Sequence, residues 1–194
     1  MGRKFIGFLI FIIVFLFLVG CSSQSNTIAV AELSEREEAI ISMTTDKVFV
    51  YEFQTEDGYE KLDIWIDKYE SGKLIEDNGT QFGAFISEEG TIILTIVENA
   101  DTNQNEIQIG ILDEKGSVGS TFYDPVEIDF GSSFNGWGPM QDLQQIHDEE
   151  IFLGSVVYTN GESIRTPNIA PSNENFSDEL AEYELVYIIK AKFY

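Results

Sequence analysis

At 194 residues the chain is long enough for one sizeable core and too short for two, and its 43% hydrophobic and 13% aromatic content argues against global disorder. It has 34 acids against 11 bases; Arg3 and Lys4 lie in the leader while the first acid is Glu32, so the part beyond the leader carries −25. Such a charge excludes nucleic acid and anionic headgroups as partners and leaves cations, metal ions or basic proteins, or plain solubility in a polyanionic envelope.

The N-terminus reads as a targeting segment. Arg3 and Lys4 form a positive start, and residues 5–19 are apolar apart from Gly7. As a helix that run would reach about 22 Å, short of the roughly 30 Å hydrocarbon core, which favours a signal peptide over a permanent span. It ends in Leu18-Val19-Gly20-Cys21, and Cys21 is the only cysteine, so no intramolecular disulfide or cysteine-based zinc site can form.

Leu18, Val19, Gly20 and Cys21 resemble the lipobox of bacterial lipoprotein signal peptides. That resemblance implies a diacylglyceryl group on the Cys21 thiol, cleavage after Gly20, and a protein held by the lipid bilayer on the outer face of the plasma membrane. The globular domain also resembles uncharacterised surface lipoproteins of bacilli, on no motif beyond the lipobox. The expected organisation is a signal peptide over residues 1–20, a lipidated polar tether over 21–31 and an acidic domain over 32–194.

Within the domain, Ser34 with Glu37 three residues on is a capping-box pattern, predicting one short helix that ends near Met43 and buries Ala39, Ile40 and Ile41. From Lys47 the pattern turns to strands. Residues 47–53 are β-branched and aromatic, and Leu62, Ile64 and Ile66 alternate with Lys61, Asp63, Trp65 and Asp67. Glu70-Ser71-Gly72-Lys73 predicts a hairpin turn. Further strands are expected at 81–87, 91–98, 106–113, 118–123 and 126–130, separated by Gly-, Asn- and Pro-containing turns. Residues 132–150 look irregular, with a helical turn or two at 140–146. Strands resume at 151–158; a Pro-containing loop covers 166–177; a last strand covers 182–193, with Lys190 and Lys192 suited to an edge or solvated side. The fold class expected is mainly β: an antiparallel sandwich, immunoglobulin-like or jelly-roll, with one short N-terminal helix.

Chemistry is sparse. His147 is the only imidazole and no nucleophile elbow accompanies it, so Ser-His-Asp catalysis and zinc lack their parts, and with 34 acids a glycosidase-like carboxylate pair is expected by chance. Asp101, Asn103 and Asn105 resemble the first half of a calcium-binding EF-hand loop, but Glu106 stands where glycine is needed and Leu112 where the closing glutamate belongs. Asp142, Asp148, Glu149 and Glu150 form a second acidic group. Phe134 and Trp137 sit in a Gly-rich stretch and would either contact a ligand or plug the core, and Tyr59, Trp65 and Tyr69 share a face that is either a second buried surface or a binding face. The expected function is a non-catalytic, membrane-anchored module that binds or scaffolds an envelope protein, with no cofactor beyond its lipid. The alternative is a cation- or glycan-binding sandwich.

Overall fold

The computed structural model describes residues 26–45, 47–56, 58–161 and 176–194. In chain order the elements are β1 (Thr27–Val30), α1 (Glu35–Ile41), β2 (Lys47–Gln54), β3 (Lys61–Glu70), β4 (Lys73–Phe85), β5 (Glu89–Asn99), β6 (Gln104–Asp113) and β7 (Gly116–Pro125). After them come β8 (Phe134–Pro139), β9 (Gln144–Gln145), β10 (Ile151–Thr159), α2 (Phe176–Leu180) and β11 (Leu185–Phe193). The strands form two antiparallel sheets: sheet A in the order β7-β6-β5-β2-β1-β9 and sheet B in the order β4-β3-β11-β10-β8.

Alternation builds the interior. Phe49, Tyr51 and Phe53 of β2, Ile92, Leu94 and Ile96 of β5, and Ile107, Ile109 and Ile111 of β6 face Leu62, Ile64 and Ile66 of β3 and Tyr187, Ile189, Ala191 and Phe193 of β11 in one cluster. Period-two alternation puts every second side chain on this inner face, so a slip of one residue would invert the whole set. The mainly β expectation, with two sheets packed together, holds. At one end, here called proximal, lie Asn26, the β2–β3 and β4–β5 connections, the β6–β7 turn and Tyr194. The distal end carries the β3–β4 turn, the β5–β6 turn and α1.

Local chemistry works where it was legible. Ser34 caps α1 and Glu37 reaches back to the Ser34 backbone N–H at 2.8 Å. Ser71 and Gly72 both take positive φ, 48° and 77°, as a tight hairpin turn demands. Elsewhere the expectations fail for identifiable reasons. Residues 27–30, assigned by composition to the tether, are β1, paired on one side with β2 and on the other with β9. α1 buries none of its residues, and Ile40 is 57% exposed.

Residues 126–130 are not a strand. The backbone of Val126 is satisfied at both groups by Asn103, through the Asn103 carbonyl at 3.1 Å and its side-chain amide, while Val126 and Ile128 still fill the core. The irregular stretch contains β8 and β9 rather than a helix at 140–146. β11 lies in the middle of sheet B, so Lys190 is at no edge; it is drawn in by Asp67 at 2.7 Å and Glu150 at 3.1 Å. The outer face of sheet B is buried too: Trp65 is 4% exposed, and Val157, Val186 and Ile188 pack with Leu180 of α2, Tyr183 and Tyr69. Tyr59 does not share that face; it packs edge-on against Phe193 in the main core. Of the loop expected over 166–177, Phe176 and Ser177 begin α2 instead, and the rest falls outside the described residues.

Candidate binding surfaces

Cys21, Leu18, Val19 and Gly20 lie outside the described residues, so the lipobox has no structural description. The proposed calcium triad does not converge. Asp101 stays in the exposed β5–β6 turn; Asn103 turns its amide to Val126; Asn105 is wholly buried, donating to the Tyr187 hydroxyl at 3.1 Å and accepting from Tyr158 at 3.3 Å. Alternation along β6 sends the Asn105 side chain to the inner face, away from the turn. Among the described residues no group of three or more His, Cys, Asp or Glu stands close enough to hold a metal ion. His147 is solvated, with Glu149 as its nearest carboxylate at 3.9 Å.

Trp137 belongs to β8 and meets Phe49 edge-on at 5.3 Å, against the main core. Its neighbour Phe134, at the distal end of the same strand, is 51% exposed. The two do not form one aromatic contact surface, because odd spacing on a strand puts them on opposite faces.

Three other assemblies stand out. The first is a network that joins the sheets across the distal interior. Asn105 of β6 and Asp124 of β7 meet Tyr187 of β11, whose hydroxyl donates to Asp124, and Asp124 in turn pairs with Lys68 of β3 at 3.0 Å. Burial, and then the adjacent Asp124 charge, push the Tyr187 phenol well above its ordinary value, so it stays a neutral donor. Every polar group named here has a partner, which is the condition under which a buried network rigidifies a core rather than weakening it.

The second is an open cleft of about 1000 Å³ at the proximal end, lined among the described residues by seven carboxylates, those of Glu52, Glu56, Glu60, Glu88, Glu89, Asp113 and Glu114, and by one cation, Lys115. Lys115 spends its ammonium on the Ile86 carbonyl at 3.0 Å. Burial acts to raise the Asp113 carboxyl, but backbone N–H bonds from Ser87 and Lys115, both at 2.8 Å, outweigh it and hold the group below the usual carboxylate range. The cleft is therefore strongly negative near neutral pH.

The third surface is defined by what it lacks. On the outer face of sheet A the register aligns Ser117, Leu112 and Thr91 in one row, Gly119, Gly110, Ile93 and Val50 in the next, and Thr121, Gln108, Thr95 and Val48 in a third. None of these positions is charged, on a chain with 34 acids. Glu52 and Glu106 stand at the border of the block. Ile93 is 39% and Leu112 49% exposed, so apolar surface is open to solvent there. The sequence held the signal, since 108, 110 and 112 alternate with the buried isoleucines of β6, but only the register reveals that neutral positions on four strands coincide.

Compared with known proteins, the chain is matched by a family model, the YgaN domain, over residues 27–193. No curated protein and no solved structure matches it.

Proposed function

The chain belongs to the YgaN domain family, and from that footing we propose that it is a non-catalytic protein-binding module held by lipid on Cys21 at the outer face of the plasma membrane. The anchor rests on Leu18-Val19-Gly20-Cys21 behind a short apolar run, the resemblance to surface lipoproteins of bacilli resting on that same leader. With about 3.5 Å per extended residue, the five steps from Cys21 to Asn26 reach at most about 18 Å, so the proximal end stays near the bilayer. Two acyl chains suffice for stable attachment where one would be marginal.

The observation that carries the protein-binding reading is the charge-free block on sheet A. Charged residues are depleted at the centres of protein interfaces, because a buried charge must be paired or pay for its desolvation. A neutral block with open Ile93 and Leu112, bordered by carboxylates, has the composition of such a centre and rim. The acidic cleft favours a second reading, a cation-binding module, since seven carboxylates raise the local concentration of any cation.

The experiment is site-specific photo-crosslinking in the membrane of origin. A photoreactive residue at Gln108, inside the block, is expected to give a discrete adduct with another protein, and one at Asp101, in the distal turn, none. No adduct from Gln108, or the same adducts from both, would refute the reading. The anchor has its own check: Cys21→Ala abolishes incorporation of labelled lipid, and undiminished labelling would sink it. Retained stability gain in millimolar calcium after Glu88, Glu89 and Glu114 are changed to Gln would dismiss the cleft as a cation site.

A further inference from the structure

The geometry points to β7 as the place where the partner adds a strand of its own to sheet A. This deepens the protein-binding reading and rests on it. A free sheet edge offers unpaired N–H and C=O groups, and natural proteins guard such edges by keeping them short, breaking their register, or placing charge and proline on them. Three of the four edges among the described strands are guarded in these ways. β9 has two residues; β8 has six, with Gly136, Gly138 and Pro139; β4 carries Lys73 and Asp77 and breaks register with β3 around Lys68, which leaves only the six residues from Thr80 to Phe85 as a plain edge.

The fourth is not guarded. β7 runs ten residues in unbroken register with β6, and its first charge and its proline are the last two, Asp124 and Pro125. β4 comes near β7 but makes no ladder with it. The inner face of the edge is also unfinished: Val118 points inward from β7, beside Ile111, yet is 48% exposed, and Phe122 is only half-buried. A strand laid along β7 would pair the free backbone and cover these side chains at once.

The occupant follows from charge and pattern. A neutral edge gains nothing from a basic segment, which the carboxylates elsewhere would draw away. Covering Val118 and Phe122 calls for apolar side chains at every second position, so the partner contributes an extended, uncharged segment with apolar alternation. A second copy of the chain fits poorly. Antiparallel pairing of β7 with itself would turn the mate end for end, lifting its Asn26 by about the 33 Å length of ten strand residues, while its own tether reaches at most about 18 Å.

Strand addition and simple docking on the outer face differ in parity. We would place a photoreactive residue in turn at Ser117 and Thr121, which face outward, and at Val118 and Ser120, which face inward, in the full lipidated chain in its membrane. Adducts to one partner segment from both parities, lost at least tenfold when Val118→Lys charges the edge, are the expected result. Adducts from Ser117, Thr121 and Gln108 alone would overturn strand addition while leaving the protein-binding reading intact. No adduct at any of these positions, Gln108 included, would remove both. A product of twice the chain mass would make the occupant a second copy and overturn the assignment made here.

Discussion

Changing Tyr187→Phe removes one oxygen from the network that ties the sheets together and keeps the ring, which packs edge-on to Tyr158 at 6.2 Å. Two bonds are lost: the one accepted from the Asn105 amide at 3.1 Å, and the one donated to Asp124. The first is neutral and worth about 0.5–1.5 kcal/mol; the second has a carboxylate acceptor and is worth about 1.5–3 kcal/mol. Asp124 keeps Lys68 at 3.0 Å, but the Asn105 amide is left in a fully buried position without its acceptor. The expected loss is thus about 2–4 kcal/mol, which for a domain of this size lowers Tm by roughly 5–15 °C. Urea titration followed through Trp65 and Trp137 fluorescence measures it, with the slope of the transition unchanged. Tyr51→Phe is the comparison, since it loses a neutral bond to the Leu153 carbonyl at 2.5 Å and no bond to a carboxylate, and should cost about 1–1.5 kcal/mol. A loss below about 0.5 kcal/mol for Tyr187→Phe would mean that the network does not lock the sheets, and the reasoning from it would fail.

The same phenols set a pH limit. Burial raises Tyr51 and Tyr187 above the ordinary tyrosine value, so their contribution is full below that value and drains away as pH rises through it, at about 1.4 kcal/mol per unit for each group ionised only in the unfolded chain. The urea midpoint should fall steeply above pH 10, less so in Tyr51→Phe; a midpoint flat to pH 11.5 contradicts this. A methyl group at Gly154 would lie 2.7 Å from the Gly138 carbonyl and 2.8 Å from the Phe49 ring, so Gly154→Ala should cost about 1–3 kcal/mol by displacing β8, and an unchanged midpoint would show that β8 yields freely. Ser34→Ala should remove about 1 kcal/mol from α1 alone. Because α1 buries none of its residues, faster hydrogen exchange at residues 35–41 with an unaltered global midpoint is expected, and a shifted midpoint would place α1 within the cooperative core.

The sequence was most informative where a rule acts over a few residues. The capping box at Ser34, the Ser71-Gly72 turn and the period-two alternation of β2, β3, β5 and β6 all act locally and all stand. It was least informative where burial depends on a distant neighbour. Nothing near Lys190 says that β11 would run between β3 and β10, and the Trp65 and Tyr69 stripe allowed a second buried surface without naming the α2 and Tyr183 side chains that cover it. Asn105 shows the limit for sites. Its spacing from Asp101 suggested a cation loop, whereas its partners Tyr158 and Tyr187 are contributed by β10 and β11 on the opposite sheet. The neutral block is likewise a property of four strands in register, visible along none of them alone.

The position of β11 also has a consequence in time. Its partner β3 closes at Glu70, while β11 opens at Leu185 and supplies the middle of sheet B. At about 5–20 residues per second of synthesis, β3 waits on the order of ten seconds for the strand it must pair with. Until then sheet B has no centre, because β3 and β10 lack the strand that joins them, while β2, β5, β6 and β7 of sheet A are already free to pair.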